Sequence, residues 1–234
     1  MRRPTILLTR PAPDGEATAK ALTKATGLAV VQSPLVEIAT RGPLPDMTGI
    51  RRLIFTSRNG VRAYRDLNGP TLPAICIGAG TADMAREAGH EADARGGDAE
   101  GLVAALSAAP PEGPLMHIRG EVARGDVAAR LTAAGIDTRA AVIYRQTLLD
   151  LTEEARALLS DRRPVIVPLY SPRTAARLAE VATPRAPLHL VAMSNAVTRA
   201  AAALHAENRV IADSPDAPAM IRAVLATVRR VEGM

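Results

Sequence analysis

Apolar runs that stop at a small polar or glycine-containing turn and pass into a helix-like stretch recur along this whole chain, and that recurrence limits the fold more than any other feature. Leu53-Ile54-Phe55 runs into Thr56-Ser57-Arg58-Asn59, and Val167-Pro168-Leu169-Tyr170 runs into Ser171-Pro172-Arg173-Thr174. The strand-like runs are Thr5–Thr9, Leu28–Gln32, Leu53–Thr56, Ala74–Ile77, Leu115–Ile118, Ala141–Arg145, Val165–Leu169, Leu188–Ala192 and Arg209–Ala212. Helix-like stretches fall between most of them: Gly15–Thr26, Asn59–Leu67, Thr81–Ala88, Ala99–Ala108, Arg124–Ala134, Glu153–Leu159, Arg173–Ala182, Ala196–His205 and Ala217–Arg230. Many are Ala-rich, with apolar residues three to four apart, which is the helical period. Short, mostly Val/Ile/Leu-rich strands alternating with such helices imply parallel sheets covered on both faces. The pattern therefore predicts a doubly wound α/β fold.

Helix punctuation agrees. Asp98 and Ser171 place a capping side chain ahead of a helical start, and Pro172 suits the first helical position. Gly27, Gly89 and Gly135 each follow an Ala-rich helix and precede a strand, where a left-handed residue commonly ends a helix. So many strands in a chain of 234 residues point to two domains rather than one sheet. Pro34–Ala39 and Ala141–Thr147 are extended and run into no well-formed helix, so they read as paired crossovers between two domains. Ile54-Phe55-Thr56-Ser57 and Leu169-Tyr170-Ser171-Pro172 share an apolar-aromatic-polar order, which suggests that the two domains are alike.

Turns of this kind lie at the carboxyl ends of parallel strands, where helix N-terminal N–H groups and hydroxyls hold anions. A repeated set suggests a ligand with many negative groups. The formal balance of 29 basic and 24 acidic residues gives +5, and Lys20 and Lys24 are the only lysines. Arginine suits carboxylate recognition through its planar fork, but a GC-rich coding sequence yields the same bias, so charge alone names no partner. Phe55, Tyr64, Tyr144 and Tyr170 are the only aromatics, too scattered for a base-stacking platform, and no nucleic acid is expected. Cys76, the lone cysteine, rules out an internal disulfide and fits a reducing compartment. The apolar run after Met1-Arg2-Arg3-Pro4 is too short for a signal-peptide core or a membrane span, so a cytoplasmic protein with no membrane partner is expected.

Taken in order, several pieces of the chain resemble the uroporphyrinogen-III synthase family over essentially its whole length. They are Leu7-Leu8-Thr9-Arg10-Pro11, Phe55-Thr56-Ser57-Arg58-Asn59-Gly60-Val61, Ile77-Gly78-Ala79-Gly80-Thr81-Ala82, Asp98-Ala99-Glu100-Gly101-Leu102, Arg119-Gly120, Val142-Ile143-Tyr144-Arg145 and Tyr170-Ser171-Pro172. The resemblance implies two doubly wound parallel-sheet domains joined by a two-stranded β-ladder, with the active site in the cleft between them. It implies a discontinuous first domain, residues 1–37 and 146–234, and a second domain of residues 38–145. It also implies a cofactor-free lyase, acting as a monomer on hydroxymethylbilane, a linear tetrapyrrole with acetate and propionate carboxylates on every ring. The implied reaction loses the terminal hydroxyl, forms a spiro intermediate and recloses the macrocycle with the last ring inverted.

Such a reaction needs substrate positioning more than acid–base power, and neutral donors orient carboxylates without trapping a carbocation. On this reading the substrate-binding residues are Thr56, Ser57 and Asn59 at one helix start, Thr81 after the glycine-bearing turn, Ser171 and Ser194 at two further helix starts, and Arg10, Arg119 and Gly120 at strand ends. Tyr144 is the candidate for a chemical role, since an ordinary phenol is protonated at neutral pH and can assist departure of the hydroxyl. Gly78-Ala79-Gly80 lacks the third glycine and the acidic partner of a dinucleotide fingerprint. His117 reads as a satisfied core residue, and the other histidines have no metal-ligand spacing, so neither cofactor nor metal is expected. A non-catalytic anion-binding or sensor module is the alternative reading of the same turns.

Overall fold

The structure is a computed structural model that describes residues 3–122 and 125–233. In chain order the elements are β1 Thr5–Leu8, α1 Asp14–Thr26, β2 Val30–Gln32, β3 Val36–Thr40, β4 Arg52–Phe55, α2 Arg58–Asp66, β5 Ala74–Cys76, α3 Ala79–Glu87, β6 Ala92–Ala94 and α4 Ala99–Ala108. There follow β7 Leu115–Gly120, α5 Val127–Ala133, β8 Thr138–Leu148, α6 Glu153–Ser160, β9 Val165–Leu169, α7 Pro172–Val181, β10 Leu188–Ala192, α8 Asn195–Ala200, β11 Asn208–Ile211 and α9 Ala217–Glu232. The helix expected from Arg124, a residue outside the described ones, begins at Val127, after Gly125 and Asp126.

Two compact units emerge, one of residues 1–37 and 147–234, the other of residues 38–146. The first holds a five-stranded sheet in the order β11-β10-β9-β1-β2, in which every strand pair is parallel. One face is covered by α6, α7 and α8 through a core that includes Leu159, Leu178, Val197 and Leu204. The other is covered by α1 and α9 through Leu22, Met220 and Val224. The second sheet runs β3-β8-β7-β4-β5-β6, with the pairs from β8 to β6 all parallel. Helices α2 and α3 pack on one face through Val61, Tyr64 and Ala82, and α4 and α5 pack on the other through Leu102, Leu106 and Leu131. Both passages of the chain between units fall inside strands, β3 and β8, which are neighbours in that sheet.

Burial of each large aliphatic side chain contributes about 1.5–3 kcal/mol, whereas an exposed ion pair such as Arg86–Asp83 contributes about 0–1 kcal/mol. The sandwiched sheets, not the many surface arginines, hold the fold. Phe55 and Tyr64 meet edge to face at 5.8 Å between ring centroids, and Tyr64 Oη donates to Pro70 O at 3.0 Å. Three of the chain's four aromatics, Phe55, Tyr64 and Tyr144, are spent inside the second unit's core.

Four strand-to-helix connections are the same object. After β4, β5, β9 and β10 the chain takes two residues, Thr56-Ser57, Ile77-Gly78, Tyr170-Ser171 and Met193-Ser194, before the next helix begins. In each the second residue is the extended N-cap. Two of these strands, β4 and β5, are neighbours in one sheet, and β9 and β10 are neighbours in the other. This places the expected duplication in a register one residue away from that suggested by the aromatic residues. Ser57 corresponds to Ser171, so Thr56, not Phe55, is the counterpart of Tyr170.

Candidate functional site

In an open parallel sheet a ligand binds beyond the carboxyl ends of the strands, at the point where consecutive connections diverge to opposite sides. In the second unit that point lies between β4 and β7, because β5 and β6 follow on one side of β4 while β7 and β8 lie on the other. Thr56 and Ser57 leave β4 here, and Arg119 and Gly120 end β7 beside them. The first unit has its own divergence between β1 and β9. Arg10 follows β1 there, and Tyr170 and Ser171 follow β9.

Ser57 caps α2, accepting from Asn59 N at 3.1 Å. Gly60 sits one turn into that helix because a Cβ there would come within 3.2 Å of Ile118 O on β7. The close approach offsets the roughly 1 kcal/mol helix penalty of glycine relative to alanine. It draws the N-terminus of α2 against the end of β7.

Tyr144 reaches the same place from β8 through a local irregularity. Arg119 pairs with Val142 and Gly120 pairs with Tyr144, so Ile143 is an extra residue against β7. Ile143 and Tyr144 are consecutively buried, which regular strand alternation forbids and a bulge permits. The Tyr144 hydroxyl lies near the Ser57 side chain and the Gly120 main chain, both of which favour its ionised form. Burial pushes its pKa above the ordinary phenol value, while Ser57, Gly120 and the Arg119 charge pull the other way without reversing the shift. Tyr144 is therefore a neutral, proton-bearing phenol at physiological pH.

The opposite neighbour of Thr56 is His117, whose Nε2 lies 3.1 Å from Thr56 Oγ1. His117 is 2% exposed, and burial, assisted by the Arg119 charge, pushes its pKa down to about 4. In the unfolded chain the group titrates near 6.5, so between these values the unfolded state takes up the proton first. Stability from this residue is present above pH 6.5 and is lost as pH falls to about 4. The urea midpoint is expected to fall across that window more steeply in the wild type than in His117→Gln. Parallel profiles for the two proteins would show that His117 carries no such burden.

In the first unit Arg10 is already satisfied. Its guanidinium lies 4.5 Å over the Tyr170 ring, donates to Asp14 Oδ2 at 2.9 Å and to Thr18 Oγ1 at 3.2 Å, and its side chain is 12% exposed. Ser171 caps α7, accepting from Thr174 N at 3.2 Å, and donates its own proton to Thr174 Oγ1 at 2.8 Å. Ser194 caps the short α8, with Val197 N at 3.4 Å.

A family model described as HEM4, uroporphyrinogen-III synthase HemD, matches residues 16–222. The chain belongs to the uroporphyrinogen-III synthase family. Among solved structures, it is similar to uroporphyrinogen-III synthetase from Helicobacter pylori, with a TM-score of 0.67 at 19% identity over 96% of this chain and 99% of that one. A mutant uroporphyrinogen III synthase from Thermus thermophilus matches with a TM-score of 0.60 at 15% identity, over 99% of this chain and 100% of that one. These likenesses establish the shared two-domain α/β fold. Comparison of the sequence with curated proteins finds no match.

For this synthase-family chain, the residues expected at the site fall into distinct situations. Thr56, Ser57, Asn59, Arg119, Gly120 and Tyr144 come together at the divergence point of the second sheet. Arg119 is partly committed there, its Nε and Nη2 donating to Gly120 O and Glu121 O at 3.1 Å each. Thr81 is the third residue of α3 and is 8% exposed, so that turn offers main-chain N–H groups more than a hydroxyl. Arg10 and Ser171 share the divergence point of the first sheet, with Ser194 at the end of the adjacent strand. His117 corrects the sequence reading. It is buried as expected, but it is not satisfied within a core, since its Nδ1 lacks a hydrogen-bond partner and its Nε2 serves Thr56. The available signal was alternation, which puts His117 on the same face of β7 as Arg119. Tyr170 was likewise missed as the ring on which Arg10 rests.

Proposed function

We propose that the protein converts hydroxymethylbilane to uroporphyrinogen III, inverting the terminal pyrrole ring through a spiro intermediate. The observation that carries the assignment to particular residues is the Tyr144–Ser57–α2 arrangement within a chain of the synthase family. Ser57 Oγ has two lone pairs and one proton. One lone pair takes the Asn59 N–H. We assign the Tyr144 hydroxyl, which lies beside Ser57 and the Gly120 main chain, as the donor to the other. The serine proton is then left to point at a ligand. A hydroxyl leaving as water needs a proton; Ser57 gives its own and takes that of Tyr144, and the phenolate so formed, set behind Ser57, is reprotonated by the proton the substrate releases on cyclisation. Main-chain N–H groups at the start of α3, beside α2 in the same unit, are donors of the kind that bind carboxylates. Such contacts orient the bilane for attack at the substituted carbon, which is the step that separates the type III isomer from spontaneous type I closure.

We also infer that the protein acts in the cytoplasm as a monomer, without nucleic acid or a membrane as partner. Phe55 and Tyr64 are fully buried, which leaves no aromatic series on which bases could stack. Among the described residues no helix is long and apolar enough to cross a membrane.

The deciding experiment supplies purified protein with hydroxymethylbilane and separates the uroporphyrinogen isomers after oxidation. Type III is expected to dominate and to scale with enzyme concentration. Type I alone, at the rate of the protein-free control, would leave only an anion-binding module.

A further inference from the structure

His117 enters β7 in register with Ile54 of β4, and the next residue on the same face of β4 is Thr56. Around the imidazole, β4 contributes Ile54 and Thr56, β7 contributes Arg119, and α4 and α5 cover this face with Leu102, Val127 and Leu131. Apart from Arg119, these neighbours carry no charge. A neutral imidazole has one N–H and one bare nitrogen, and only Nε2 has a partner, Thr56 Oγ1 at 3.1 Å. Nδ1 is buried without one. A proton on Nδ1 would bury an unpaired N–H, the rarest and costliest of orphan groups. It would also make Nε2 an acceptor and consume the only proton of the Thr56 hydroxyl. A proton on Nε2 leaves a bare nitrogen at Nδ1, makes Nε2–H the donor, and frees the threonine proton. Thr56 is half-buried, between His117 and the open end of the sheet.

We propose that His117 is a positioning residue that, in its Nε2–H form, donates to Thr56 Oγ1 and holds the Thr56 hydroxyl as an obligatory donor to a substrate carboxylate. Thr56 then matches Ser57, whose oxygen accepts from Asn59 N. The turn after β4 presents two adjacent hydroxyls, each accepting from inside the protein, Thr56 from His117 and Ser57 from Asn59, with both protons free to point outward. Such a pair favours an anion over a neutral or cationic group at this position. This role rests on the turn being part of the substrate site.

Two measurements test it. Long-range proton–nitrogen NMR on the full chain without substrate reports the tautomer directly. The Nε2–H form of His117 is expected, and the Nδ1–H form would overturn the proposal whatever the protein's activity. In kinetics, Thr56→Val and His117→Leu are each expected to lower kcat/KM about 10-fold, mainly through KM, and their combination to lower it by the same ~10-fold because both remove one donor. His117→Gln, whose amide N–H reaches the position of Nε2, is expected to recover to within about 3-fold of wild type. An additive, ~100-fold loss in the double variant would sink the proposal, as would full activity in Thr56→Val. Should His117→Leu fail to fold, His117→Gln and the tautomer measurement decide alone. Failure of the wild type to make the type III isomer would remove the functional reading while leaving the tautomer result to stand or fall separately.

Discussion

Tyr144→Phe is expected to fold normally, to bind hydroxymethylbilane with KM within about 3-fold of wild type, and to lose about 10²-fold in kcat, the usual contribution of one positioned proton donor. The residual activity should still give type III product, because orientation of the carboxylates is untouched. The physical case rests on burial. Tyr144 is 4% exposed, and the phenylalanine ring fills the same volume, so little packing is lost. What disappears is the phenol proton beside Ser57. The pH profile sharpens the test. Burial raises the phenol pKa despite the opposing effects of Ser57, Gly120 and Arg119, so the acid form persists to at least the ordinary phenol value of about 10. Activity of the wild type should therefore show no alkaline decline below about pH 10 that vanishes in Tyr144→Phe. Unchanged kcat in the purified variant would rule out the proton-donor role, and a large rise in KM with kcat preserved would make Tyr144 a binding group instead.

The parts of this fold and site legible in the sequence are those set by local patterning. Strand ends such as Phe55 and Leu169 stand out because a Val/Ile/Leu run meets a Ser N-cap, and the cap itself decides the geometry of the turn. Ala92–Ala94 was not read as a strand because Ala-Asp-Ala has no β-branched residue and forms only a short edge beside β5. The helix expected to reach His205 stops at Ala200, since the Arg209 guanidinium takes the carbonyl of Ala201 at 3.1 Å and that of Leu204 as well. That interruption comes from the following strand and has no local signature. The same is true of the site. Ser57 could be read as a donor from its capping position, but its pairing with Tyr144 depends on one extra residue in β8 against β7, a matter of register between strands. His117 was identifiable as buried, whereas the direction of its two nitrogens depends on Thr56, sixty-one positions away in sequence. Periodicity reveals which residues face inward, and only the assembled sheet reveals which polar atoms are left to serve one another.

Gly120 is where backbone packing and chemistry meet, and Gly120→Ala is expected to lower kcat/KM about 10²-fold, the loss typical of an ångström-scale misplacement of a reacting group. A Cβ at this position would lie 2.5, 2.7 and 3.0 Å from three ring carbons of Tyr144, well inside ordinary contact. Moving β7 away would break its pairing with both β4 and β8, each of which is packed on two faces. The Tyr144 side chain has to yield instead. A displacement of about 1 Å restores contact distance but carries the phenol off Ser57, so the lesion resembles loss of the hydroxyl. Overpacking of this kind costs about 1–3 kcal/mol, enough to lower the melting temperature without unfolding the chain. Non-additivity identifies the mechanism: once Tyr144→Phe has removed the proton, adding Gly120→Ala should reduce kcat by less than about 3-fold further. A Gly120→Ala protein with wild-type kcat/KM, or a double variant whose losses multiply, would show that Gly120 and Tyr144 act separately and that the bulge in β8 does not aim the phenol.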